Sequence, residues 1–215
     1  MPVHKVLKSP TIRRFPTYLY KLFELRALGE QIVSAPVLAE YMNIGEIVVR
    51  KDLALTGITG RSGVGYQIDQ LIDGIKSFLN WHNTTEAVLV GAGSLGSAIL
   101  GYEGFEDCGL KIIAAFDASA EKIGSVIHNR KILAADNLSA IIDKLKVKIG
   151  IICVPADYAQ RVADQMVKGG IKGIWNFANV ALKVPHDVIV QREVIAGGLA
   201  LLSVKLANSR GEISD

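Results

Sequence analysis

The apolar and polar positions of the chain change period near residue 80. Before that point apolar residues recur at helical spacing. From Thr17 the series Tyr18, Leu22 and Leu25 lies along one helix face, and Gly29 follows Ala27-Leu28 as a stop, so a helix is expected over about residues 12–28. Ser34 is placed to cap a second helix, Ala35 to Met42, ended by Asn43. Gly45 opens a third, Glu46 to Leu55, ended by Gly57. Two short helices across the turn Met42-Asn43-Ile44-Gly45 form a helix-turn-helix pattern, with the later helix for recognition. Gly57, Gly60, Gly63 and Gly65 then punctuate a stretch carrying Arg61 that reads as a β-hairpin, the place for a wing, and Ile68 to Leu79 reads as an amphipathic linker helix.

After the polar stretch Trp81 to Glu86, short continuous apolar runs alternate with helical segments. Val88-Leu89-Val90 and Leu110 to Phe116 read as strands, followed by a helix near Ala120 and a short Ile132-Leu133 strand. A helix from Ser139 to Lys146, a strand Ile149 to Val154 ended by Pro155, a helix Tyr158 to Lys168 and a strand Gly173 to Phe177 follow. Alternating β and α elements with strands this apolar predict an α/β domain around a parallel sheet. The closing segment, Val194 to Leu206, is too apolar for a free tail. It either closes its own domain or packs on a partner subunit, and the partner is the favoured reading.

The richest chemistry lies in Val90-Gly91-Ala92-Gly93-Ser94-Leu95-Gly96, where an apolar strand passes through three glycines into a helix. Gly91 suits the tight turn, Gly93 lets backbone N–H groups approach a pyrophosphate, and Gly96 lets the helix pack close to the strand. The helix N-terminus, with its unpaired donors, then faces the anion. The next strand ends at Asp117, 21 residues beyond Gly96, where an acid accepts the adenosine ribose hydroxyls and repels a 2′-phosphate. Asp117 equally suits a helix cap near Ser119. Taken in this order, the elements predict a Rossmann-type site for NAD(H) at Gly91, Ala92, Gly93, Ser94, Leu95, Gly96 and Asp117. The strand ends Val154-Pro155 and Asn176-Phe177-Ala178 border the same cleft, since ligands bind at the carboxyl ends of parallel strands. Asn176 there either meets the nicotinamide or satisfies a loop backbone.

The 215 residues, half of them hydrophobic, suffice for one substantial core and a second small one. The net charge of +3 resides in residues 1–80, with ten Lys/Arg against seven Asp/Glu. The first ten or so residues read as a loose basic arm. Arg13, Arg14, Arg50, Lys51 and Arg61 are the candidate DNA ligands, for phosphate or base edges, although Arg50-Lys51-Asp52 is also what a solvated helix face looks like. Two cysteines, Cys108 and Cys153, point to a reduced compartment. With no signal-peptide pattern and no apolar run of bilayer length, a cytoplasmic protein without membrane partners is expected. An NAD-dependent oxidoreductase needs a proton donor or base near the nicotinamide. The sequence has no Tyr-x-x-x-Lys pair, and His4, His82, His128 and His186 belong to no matching motif, so neither a catalytic residue nor a metal site is expected.

From about Pro10 to Ser203 the chain resembles the Rex family of redox-sensing transcriptional repressors. The landmarks are Val49-Arg50-Lys51-Asp52-Leu53, Gly63-Val64-Gly65-Tyr66, the glycine turn, Gly101-Tyr102-Glu103-Gly104-Phe105, Ala115-Phe116-Asp117, Val154-Pro155-Ala156 and Gly170 to Ala178. The resemblance implies a homodimer that holds operator double-stranded DNA when NADH is scarce and releases it when NADH accumulates. It also implies terminal helices exchanged between subunits and a place for Tyr102 at the cofactor. Three parts are expected: a winged-helix DNA-binding domain over 1–81, an NAD(H)-binding domain over 82–193 and a dimer-exchange helix with its tail over 194–215.

The departures from the family cluster at the DNA end and at the switch. Where the family's recognition helix opens with Asn-Ser-Ala-Gln or similar, this chain has Gly45-Glu46-Ile47-Val48, and the wing's Lys-Arg-Gly becomes Arg61-Ser62-Gly63. In the family a Tyr, an Arg on the first helix and an Asp before the terminal helix exchange partners as the dimer closes. Here the Tyr is Tyr102, and the other two positions read Tyr20 and Val194, with Glu193 one place early. An NAD(H)-binding dimer with altered or lost operator recognition is therefore the alternative function.

Overall fold

A computed structural model of the protein describes residues 9–209. The expected basic arm falls largely outside them. The chain divides after Asn83 into two compact units.

The first unit is built from α1 (Ser9–Ala27), β1 (Ile32–Val33), α2 (Ala35–Met42), α3 (Glu46–Leu53), β2 (Tyr66–Gln67) and α4 (Ile68–Phe78). Its core gathers Phe15, Tyr18, Leu19 and Leu22 of α1, Leu38 of α2, Val49 and Leu53 of α3, and Leu71 and Ile75 of α4. Helix α1 begins earlier than its periodicity predicts and runs through Pro16. Its second half packs by the expected face, and that burial outweighs the backbone hydrogen bond a proline cannot make. Helix α2 ends at Asn43, whose left-handed φ of 51° fits a short polar side chain. Helix α3 stops at Leu53 and passes into a 3-10 turn, Ala54–Thr56, closed by Gly57 at φ 76°.

The hairpin expected between Gly57 and Gly65 is reduced to a tight turn with one bridge, Arg61 to Gly65. The ladder of this unit forms instead between β1 and β2, antiparallel, with Val33 opposite Tyr66. Gly65 accounts for the difference: at φ 117° it lets the turn cross β1 so closely that a Cβ would stand 2.4 Å from the Val33 carbonyl oxygen.

The second unit contains β3 (Thr85–Val90), α5 (Ser94–Leu100), α6 (Gly104–Asp107), β4 (Leu110–Asp117), β5 (Val126–Ile127), β6 (Arg130–Ala134), α7 (Leu138–Leu145), β7 (Ile149–Ile152), α8 (Ala156–Lys168), β8 (Gly173–Asn176), β9 (Ile189–Arg192) and α9 (Ala196–Ser209). Its seven-stranded sheet has the order β5-β6-β4-β3-β7-β8-β9, parallel except for β5. The chain starts at the centre with β3, steps outward through β4 and β6, then returns to β7 on the other side of β3. That reversal opens the crevice in which doubly wound sheets hold their ligands. Core side chains of β3, β4 and β7 pack against α7 and α8 on one face. On the other face Leu89 and Ile151 meet Ile99 of α5.

The helix expected near Ala120 is absent. The Asp117 carboxylate takes the Ser119 N–H at 2.8 Å, tight turns follow, and Gly124 at φ 88° ends them before a helix can propagate. Next comes the β5–β6 hairpin, whose two-residue loop is His128 and Asn129, both with positive φ. The edge strand β9 has no counterpart in the apolar pattern, being short and half polar. Helix α9 has no buried residue, and Leu199, Leu201 and Leu202 are exposed. Among the described residues no helix is long and apolar enough to cross a membrane.

Candidate cofactor and DNA sites

At the carboxyl end of the sheet the strands are stitched together just where the glycine turn begins. Cys153 N–H donates to the Val90 carbonyl, Gly91 N–H to that of Phe116, and Phe177 N–H to that of Ile152. Gly91 has φ 101°, and a Cβ on it would lie 2.6 Å from the Cys153 carbonyl oxygen and 2.9 Å from Val154 Cγ1. A Cβ on Gly96 would lie 1.8 Å from the Gly91 carbonyl oxygen. Gly91 and Gly96 are therefore required by the fold. Gly93 is different: its φ is −77°, and a Cβ there meets nothing within 4 Å. The space beside Gly93 is the cradle that a pyrophosphate needs, so the turn fits a dinucleotide. Ser94 and Leu95 follow as the first residues of α5.

Asp117, at the end of β4, is bonded to the turn itself. Its Oδ2 accepts the Ala92 N–H at 2.8 Å and lies 3.3 Å from Lys122 Nζ, and its Oδ1 accepts the Ser119 N–H. Burial works against the charge. The Ser119 N–H, the Lys122 ammonium and the Ala92 N–H outweigh it and hold the carboxyl below the usual carboxylate range. Three donors leave about one of the roughly four acceptor positions of a carboxylate for a ligand hydroxyl. Lys122 was missed from the sequence reading, and its signal is simple: a cation one short turn beyond the strand-end acid.

Other expected cofactor contacts separate into groups. Val154 occupies the space a side chain on Gly91 would need, and Pro155 stands at the N-terminus of α8. Asn176 is fully buried and its side chain serves the loop: Oδ1 accepts the Ala178 N–H and Nδ2 donates to the Val180 carbonyl. Of its two expected roles, the structure gives it the backbone one. Phe177 packs against Trp175 with the rings tilted at 49° and centroids 4.8 Å apart, and Ala178 is buried. Tyr102 lies just beyond the C-terminal end of α5, and its ring packs edge-on against Phe105 beside a cavity of about 400 Å³ that also meets His128 and Arg130. Burial pushes the Cys153 thiol up to about 12.

In the first unit the expected DNA ligands divide similarly. Arg14 has a structural role: its guanidinium binds Asp52 through Nε at 2.6 Å and a second nitrogen at 2.8 Å, and also reaches Thr11 Oγ1. The Tyr18 hydroxyl donates to the same carboxylate at 3.0 Å. The hydrogen bond to Asp52 raises the Arg14 pKa above its ordinary value, and burial, then the Asp52 charge, raises that of Tyr18. Arg14 thus joins α1 to α3 while remaining one-quarter exposed. The spacing of Val49, Asp52 and Leu53 explains this, because it puts Asp52 on the buried face of α3. Arg50 is exposed but is held by Glu46 one turn earlier, its Nε donating at 2.9 Å. Arg13, Lys51 and Arg61 are exposed.

Two family descriptions match the chain: "CoA binding domain" over residues 82–180 and "Putative DNA-binding protein N-terminus" over residues 9–54. A curated protein of Treponema denticola named "Redox-sensing transcriptional repressor Rex" is 43% identical over 206 residues, covering 96% of this chain and 98% of the relative. Among solved structures, RSP in complex with β-NAD⁺ and operator DNA superposes with a TM-score of 0.85 at 33% identity, covering 95% of this chain and 94% of that one. RSP in complex with β-NADH gives a TM-score of 0.85 at 32% identity, covering 95% and 96%.

Proposed function

Because the chain belongs to the Rex family of redox-sensing transcriptional repressors, we propose that it binds operator double-stranded DNA as a homodimer and leaves it when NADH binds. It is a regulator and not an enzyme, as its curated relatives are repressors. The observation that carries this reading is the open space beside Gly93 in a turn whose preceding residue, Ala92, is bonded to the strand-end acid Asp117, in a chain that also bears the helix-turn-helix of α2 and α3.

Residues 82–193 form the cofactor domain. Gly91, Ala92, Gly93, Ser94, Leu95 and Gly96 carry the pyrophosphate, Asp117 the adenosine ribose, and Val154, Pro155, Phe177 and Ala178 border the nicotinamide end. Bound NAD(H) supplies the redox information by its oxidation state alone. Residues 1–81 form the DNA-binding domain, with Arg13, Lys51 and Arg61 on phosphate. The exposed apolar α9 within residues 194–215 packs on the second copy, which is the arrangement an all-round apolar helix at a surface requires. Such a repressor works in the cytoplasm. The pairing of Glu46 with Arg50 favours a refinement, an operator read differently from those of relatives with an amide-rich recognition helix.

The coupling is thermodynamic. If NADH prefers one dimer arrangement and DNA another, each weakens the other by the same free energy, typically about 1–3 kcal/mol. A mobility-shift assay at fixed salt tests it. The expected result is a retarded operator duplex that NADH releases and NAD⁺ does not, whereas a duplex retained at saturating NADH overturns the proposal.

A further inference from the structure

The outward side of α3 is hydrocarbon where base edges have to be read. Val49, Asp52 and Leu53 are its buried residues, so Ile47, Val48 and Lys51 make up a stripe along the other side. Ile47 is 69% exposed and Val48 37%. Both are β-branched and disfavoured in helices, so neither helix formation nor the core explains them in the first turn. Arg50, the neighbouring cation, is occupied. Both its Nε and one terminal nitrogen donate to the same Glu46 oxygen, so turning that edge of the guanidinium to guanine requires giving up the pair.

What remains on this stripe to distinguish one base from another is branched hydrocarbon with one exposed lysine, Lys51. The major groove offers one apolar mark, the C5-methyl of thymine, and it lies between rows of phosphates that Lys51 can neutralise. Stiff χ1 torsions hold the methyl groups of Ile47 and Val48 in place before contact, so little side-chain freedom is lost on docking.

We propose that α3 reads thymine methyl groups through Val48 and Ile47, with Glu46 keeping Arg50 off guanine and Lys51 on the backbone. This rests on the DNA-binding function proposed above and deepens it by naming the specificity-determining side chains.

The experiment uses the full-length chain without NADH and a duplex selected by it from a randomised pool. Thymine is expected at two-fold-related positions of the retained duplexes. Replacing that thymine by deoxyuridine, which lacks only the methyl, weakens binding about three- to five-fold per methyl. The Ile47→Ala/Val48→Ala double variant binds the thymine duplex correspondingly less well and no longer distinguishes it from the deoxyuridine duplex. The double variant also keeps the wild-type salt dependence, because the phosphate contacts are untouched. Val48→Thr, close in shape with a hydroxyl in place of one methyl, keeps the thermal midpoint and loses part of the preference. Equal binding of thymine and deoxyuridine at every position, or a preference that survives in the double variant, overturns this inference and leaves the DNA-binding function standing. Retention of no duplex at all overturns both.

Discussion

The Asp117 carboxylate accepts the backbone N–H of Ala92 at 2.8 Å, tying the end of β4 to the glycine turn that starts at the end of β3. The bond makes the acid a brace for the turn, and in the proposed site the same carboxylate accepts a ribose hydroxyl. Replacing Asp117 by Ala removes a charged acceptor from a ribose hydroxyl, and such bonds contribute about 1.5–3 kcal/mol. NADH affinity, followed by fluorescence titration, is expected to fall about 10- to 100-fold. Unchanged affinity would remove Asp117 from the site.

The acid limb of stability carries the same residue. Asp117 titrates below its ordinary value in the folded protein, with burial opposed and outweighed by the Ser119, Lys122 and Ala92 donors. A depressed carboxylate contributes stability that is complete above its unfolded pKa and is lost as pH falls through the lower folded value. Thermal unfolding of the second unit across the acid range is therefore expected to be less pH-dependent in Asp117→Asn than in the wild type, with the two curves converging at the acid end.

Two glycines three residues apart are expected to fail in different ways. A Cβ on Gly96 meets the Gly91 carbonyl oxygen at 1.8 Å, so Gly96→Ala destabilises the second unit by about 1–3 kcal/mol or more. A Cβ on Gly93 meets nothing within 4 Å, so Gly93→Ala keeps its melting temperature and loses NADH affinity, because the methyl enters the pyrophosphate space. Paired melting and titration experiments separate the two. Equal loss of stability in both variants would contradict the assignment of Gly93 to the ligand.

In the first unit, Asp52→Ala leaves the Arg14 guanidinium and the Tyr18 hydroxyl without their shared acceptor. With Asp52 only 4% exposed and Arg14 25%, the cost is expected near the lower end of the range for breaking a buried pair, about 3 kcal/mol. Denaturant unfolding followed in this unit measures it.

Cys153 is expected to stay silent. Its thiol, pushed up to about 12 by burial, remains protonated near pH 8, so alkylation is slow and Cys153→Ser leaves the NADH response unchanged. Rapid alkylation that abolishes the response would route redox sensing through the thiol.

The parallel sheet is legible in the chain because strands buried on both faces read as unbroken hydrocarbon, as in Val88 to Val90 and Ile149 to Ile152. The helix expected at Ala120 failed for a local reason: Asp117 captures the Ser119 N–H and Gly124 breaks the chain, and propensity does not report a competing side-chain bond. Strand β9 escaped notice because edge strands need no hydrophobic face. At the site, the glycine spacing pointed to a turn, but only the structure shows that Gly96 and Gly91 touch each other while Gly93 faces open space. Arg14 shows what charge alone leaves out: the sequence offers it only as a DNA ligand, and Asp52 on the buried face of α3 gives the same guanidinium a structural partner.

The central claim is that the cofactor cleft and the DNA-binding unit are coupled, and reciprocity tests it most directly. The dissociation constant for the operator duplex is measured with and without saturating NADH, and that for NADH with and without saturating duplex, at one salt concentration. The account predicts that NADH weakens DNA binding by a factor of roughly 5–150 and that DNA weakens NADH binding by the same factor. A factor of one in both directions, with each ligand bound tightly, would contradict it.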